Sequence, residues 1–90
     1  MNLTHLSEEN LRSSTLSSVA QERASLNNVL HHIKEVDRRR LYSKWQFKSL
    51  FDYVEKELKY PGDQAYRRIT AMKLLKELPE IEKSIVNGEL

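Results

Sequence analysis

Tyr66, Arg67 and Arg68 stand together in the segment GDQAYRRITAMKLL, residues 62–75 of a 90-residue chain. An arginine guanidinium is a planar fork that can bond a guanine edge or a phosphate through two parallel N–H donors, and a glutamine amide can do the same for adenine. Residues 49–75 read as two helices joined by a tight turn, with apolar Val54, Leu58, Tyr60, Ala65 and Ile69 at intervals of four, two, five and four. That is the spacing of a helix-turn-helix: the small residue near the start of the second helix, here Ala65, permits a close crossing, and residues between the apolar positions point outward. Gln64, Tyr66, Arg67 and Thr70, with Asp63 beside them, are therefore expected on the exposed side, where a DNA groove would lie. Arg68 sits at the flank. Arg68, Arg38, Arg39 and Lys59 are the candidate phosphate contacts, and the amides near Gly62 offer a further donor set at the helix start.

Other groupings suggest no chemistry of their own. His31 and His32 are adjacent and diverge by about 100° on a helix, whereas helical metal-ligand pairs need a spacing of three or four. Asp52, Glu55 and Glu57 are interleaved with Lys56 and Lys59, the pattern of a solvated face, and no glycine-rich phosphate loop accompanies them. Serines 13, 14, 17 and 18 lack a neighbouring base and read as small residues at a close helix contact or a local weak point. Tyr42 and Trp45 could stack on bases, but Phe47 and Phe51 beside them favour core packing. The residues present no catalytic constellation, so a non-enzymatic protein without cofactor or metal is expected.

The elements that must position the candidate face are helical. Two glycines and two prolines leave little turn chemistry for a many-stranded sheet. Ser7 or Thr4 can cap a first helix whose opening turn carries Glu8 and Glu9. From Leu11, apolar Leu16, Val19, Ala20, Leu26, Leu30 and Ile33 recur at helical intervals. A helix to about Val36 spans roughly 45 Å, more than short helices can cover. It must either bend at the serines or pack against the same helix of a second chain, and a homodimer is favoured. The run Asp37-Arg38-Arg39-Arg40 marks a junction in which at least one arginine stem should line the core. Residues 49–58 form a short helix capped by Ser49. Pro61 and Gly62 make the turn, a helix runs from about Asp63 to Leu78, and Pro79 opens a last helix that ends at Gly88. The expected fold is all-α and single-domain: a long helix over 1–36, then a helix-turn-helix-like bundle of short helices over 46–90.

Charge is divided along the chain. Residues 1–30 sum to −1 and residues 31–90 to +3, within an overall +2. That balance permits an anionic partner without requiring one. The chain has no cysteine and no apolar run near the roughly 20 residues of a membrane-spanning helix. A reducing cytoplasm is the expected compartment.

Residues 29–90, above all HHIKEVDRRRLY, SLFDYV, AYRRITAMKLLKELPEIE and the closing NGEL, resemble the N-terminal helical region that precedes the nuclease domain in bacterial HNH endonuclease-like proteins. The resemblance implies a helical accessory region that helps to engage DNA. Pro61 stands where that family usually has a serine cap, and the histidine-and-asparagine metal motif of the nuclease is absent, so cleavage by that chemistry is not expected. The reading is DNA binding without catalysis; the alternative is a protein-interaction or oligomerisation module that binds no nucleic acid.

Overall fold

The computed structural model describes residues 2–88, so Glu89 and Leu90 of the NGEL motif lie outside the described residues. Helices α1 (Glu8–Arg39), α2 (Leu41–Lys44), α3 (Leu50–Lys56), α4 (Gly62–Glu77) and α5 (Glu82–Asn87) follow in order, with a 3-10 turn over Pro79–Ile81 leading into α5. No strand occurs among the described residues, and the all-α fold is as the sequence predicts.

Helix α1 begins where Ser7 Oγ accepts the Asn10 amide at 3.1 Å, with Glu8 and Glu9 in the first turn. It then passes unbroken through the serine-rich stretch. Its 32 residues give a rod of about 48 Å at 1.5 Å per residue, nearly the whole 51 Å long dimension of the molecule. The helix ends at Arg40, which adopts a left-handed conformation (φ 51°) and closes the C-terminus with its own amide. Termination thus comes three residues later than the spacing of apolar positions predicts. The polar Asp37-Arg38-Arg39 run continues the helix, because its cations suit the C-terminal dipole.

The core is built on the second half of α1. Leu30 and Ile33 are buried against Leu50, Tyr53 and Val54 of α3, Ala65, Met72 and Leu75 of α4, and Ile85 of α5. Complete burial of a side chain such as Leu30 stabilises by about 1.5–3 kcal/mol through lost water contact. Helix α5 is also fastened by polar bonds: Glu82 Oε1 accepts from Asn27 Nδ2 at 2.8 Å and from His31 Nε2 at 3.1 Å. These donors, Asn27 first, hold the Glu82 carboxyl below its ordinary range.

Three expectations need correction. Trp45 packs its ring on Tyr53 (centroids 5.5 Å apart) but remains 44 % exposed, so it flanks the core rather than filling it; Phe47 meets Tyr53 edge-on and is partly buried. Arg38, Arg39 and Arg40 are all exposed, and none lays its stem along the core. Serines 13, 14, 17 and 18 are exposed as well, and α1 runs through them without a break. The first half of α1 projects beyond the bundle, with Leu11 41 % and Leu16 64 % exposed.

Candidate nucleic-acid interface

Helix α3 starts at Ser49, whose Oγ accepts the Asp52 amide at 3.0 Å. The Asp52 carboxylate pairs with Lys56 at 2.9 Å and accepts the Lys48 amide at 3.0 Å, and Lys56 chiefly keeps its carboxyl below the usual range. Between α3 and α4 the chain turns at Lys59, which takes the left-handed conformation (φ 66°). The sequence predicts Gly62 as the turning residue, but it is the first residue of α4, where a Cβ would lie 3.2 Å from Glu55 Oε2 and 3.8 Å from Phe51. Ala65, the small residue near the start of α4, is wholly buried in the core.

Helix α4 therefore has two unlike faces. Ala65, Met72 and Leu75 are buried and Ile69 is partly so, while Asp63, Gln64, Tyr66, Arg67 and Thr70 are exposed, Tyr66 at 68 %. Tyr66 and Thr70 form a ridge, since each borders two grooves. One, of about 460 Å³, is floored by Leu26, Leu30, Ala71 and Ile85 with Arg67 on its rim; the other, of about 550 Å³, holds Lys73 but also Asp37 and Glu77. Lys73 was not singled out from the sequence. Its spacing of seven from Tyr66 and three from Thr70 places it on the same ridge, and that periodicity was the available signal.

Arg68 has a defined partner. Its guanidinium carbon lies 3.9 Å from the centroid of the Tyr60 ring, Nη1 reaches the Gln64 carbonyl at 3.4 Å, and the buried Nε has no hydrogen-bond acceptor. The stacking ties the turn to α4, so any phosphate contact by Arg68 is made from this stacked position. Tyr60 as its partner could not be read from spacing alone.

The remaining candidates divide. Lys59 is exposed in the turn immediately before α4. Arg38 and Arg39 belong to the end of α1 and both bond Glu35, Arg38 Nε at 2.9 Å. Those bonds, Arg38 first and then Arg39, bring the Glu35 carboxyl from its ordinary 4.5 down to about 2. A phosphate at either arginine competes with that carboxylate. The amides at the start of α4 also differ from expectation: Pro61 provides no side-chain cap, but the Glu55 carboxylate lies beside Gly62 and Asp63 occupies the first turn. Negative charge already stands where the helix dipole would draw a phosphate.

The histidines point to different partners, His31 to Glu82 and His32 Nδ1 to the Asn28 carbonyl at 2.7 Å. Among the described residues no three His, Asp or Glu side chains converge as a metal site, and no helix is long and apolar enough to cross a membrane. No protein-family model, curated protein or solved structure matches this chain.

Proposed function

We propose that this chain is a non-enzymatic DNA-binding module, the accessory region of a nuclease-type protein or a small relative of one, and that it works as a homodimer through α1. The observation that carries the reading is the protruding ridge of α4. Gln64, Tyr66, Arg67 and Thr70 stand in solvent while the opposite face, Ala65, Met72 and Leu75, is anchored without remaining exposure of consequence. A helix held rigidly by one face and carrying forked and amide donors on the other has the form needed to enter a major groove. Arg67 and Gln64 are the base-edge candidates; Lys59, Arg68, and Arg38 and Arg39 once released from Glu35, are the phosphate contacts.

A second reading is favoured by a specific feature. The apolar floor of Leu26, Leu30, Ala71 and Ile85 beside the ridge, and Asp37 and Glu77 on its other side, suit an interaction with protein better than with a polyanion. Replacing Arg67 and Lys59 by alanine separates the two. Loss of duplex retardation in a low-salt gel shift, with the helical content kept, supports DNA; a wild-type chain that retards no duplex at low salt rejects it.

A further inference from the structure

The stripe that builds the core does not stop where the core stops. Leu30 and Ile33 are buried and Leu26 is partly covered, and the same face continues toward the N-terminus through Arg23, Val19, Leu16, Arg12 and Glu9. These positions fall into one heptad register, with Glu9, Leu16, Arg23 and Leu30 seven apart and Arg12, Val19, Leu26 and Ile33 seven apart. The upper part of that seam has no cover in the chain, and Leu16 is the most exposed leucine of the described residues at 64 %.

Charge decides what can cover it. A second copy laid parallel and in register sets Glu9 on Glu9, Arg12 on Arg12 and Arg23 on Arg23, which repels at three of the five levels from Glu9 to Arg23. A copy laid antiparallel about Leu16 sets each Leu16 against the other and brings Glu9, seven residues before it, level with Arg23, seven residues after it. Opposite charges then flank an apolar centre at both ends. Arg23 marks the lower edge of the open seam: its guanidinium lies against the end of α5, where a Cβ on Gly88 would stand 2.5 Å from its carbon. The unlike-charge arrangement is what sets orientation and register in paired helices.

We propose that the first half of α1 is covered by a second copy of this chain running antiparallel, centred on Leu16, with Glu9 of each copy paired to Arg23 of the other. This deepens the homodimer reading above and rests on it. Leu26 and Leu30, which floor the groove beside Tyr66 and Arg67, lie ten and fourteen residues from that centre. The two α4 ridges are then offset along the paired helices by about 30–42 Å at 1.5 Å per residue, a span that brackets the roughly 34–36 Å between half-sites one turn apart on DNA.

The chain has no cysteine, so single cysteines report the geometry without background. Glu9→Cys and Arg23→Cys chains, mixed and oxidised, are expected to form the mixed disulfide in preference to either homodisulfide; a Glu9→Cys homodisulfide that forms fastest makes the pair parallel and overturns the proposal. In sedimentation equilibrium, Arg23→Glu and Glu9→Arg alone should each raise the dimer dissociation constant about tenfold or more, equivalent to about 1.4 kcal/mol, and the double exchange should restore it. A wild-type chain that stays monomeric across the accessible concentrations, or a double exchange no better than the singles, rejects the pairing. Gel shifts on the same samples keep the two ideas apart: a dimer with this geometry that retards no DNA leaves the pairing standing and removes the DNA reading, and a monomer that binds DNA does the reverse.

Discussion

Leu16 and Leu30 lie on the same stripe of the same helix, fourteen residues apart, and have opposite surroundings. Leu30 is wholly buried where α1 packs on α4 and α5, whereas Leu16 stands in solvent. Helix formation in α1 is uniform and its packing is not. Local capping and periodicity carry the backbone from Glu8 to Arg39, but tertiary contacts gather from Arg23 onward, and packing rather than propensity supplies most helical stability. One half of α1 holds the domain together, and the other stands largely in solvent.

That contrast can be broken most forcefully at Leu30. Leu30→Ala should cost about 2–5 kcal/mol in urea unfolding through lost burial and the cavity left behind. Leu16→Ala should change the stability of the dilute chain by no more than about 0.5 kcal/mol, while weakening self-association. Equal effects at the two sites would mean that α1 is covered along its whole length at the concentration studied.

A smaller effect separates the neighbouring arginines of α4. Arg68→Ala removes the stack on Tyr60 and should destabilise by about 1 kcal/mol, within the range for partly desolvated cation–π pairs; Arg67→Ala, exposed and unstacked, should leave thermal stability unchanged. At the far end, Gly88→Ala places a side chain at a left-handed residue (φ 80°) and against the Arg23 guanidinium. A loss of about 1–2 kcal/mol is expected from the backbone conformation, read as a lower melting temperature.

Acid titration gives the gentlest probe. Glu35 has its carboxyl lowered from 4.5 to about 2, and Asp52 and Glu82 are also held below their ordinary values. A depressed carboxyl contributes stability that is complete above its unfolded value and disappears as pH falls through the folded one. Stability should therefore decline from about pH 4.5 toward 2, first as loosening of the α1 C-terminus and of α5. Glu35→Gln should flatten that decline without altering neutral-pH helicity, as followed by amide exchange and circular dichroism.

Much of this architecture was legible in the residues. Ser7 and Ser49 announce their helices because a side-chain oxygen before a helical run satisfies free amides, and Ala65 and the apolar positions around it mark the buried face of α4. What escaped sequence reading depends on groups distant in the chain or on competing local bonds. Arg38 and Arg39 look free until Glu35 is seen between them. Gly62 looks like the turn residue until Lys59 is found in the left-handed conformation and Glu55 against the glycine. Trp45 shares the segment of Phe47 and Tyr53 but lies in the turn after α2, where its ring meets Tyr53 and otherwise stays largely exposed. On α4, the outward ridge followed from periodicity, while the acidic groove beside it required the position of Asp37 on α1.

DNA binding by the α4 ridge is tested most directly by fluorescence anisotropy of a labelled duplex over a salt series, comparing the wild-type chain with Arg67→Ala/Arg68→Ala. The wild-type chain should bind at low salt with a linear fall in log affinity against log salt, and the double variant, refolded and helical, should bind more weakly with a slope shallower by about 1 to 2. Equal affinity and equal slope for the two chains would contradict an α4 interface with DNA.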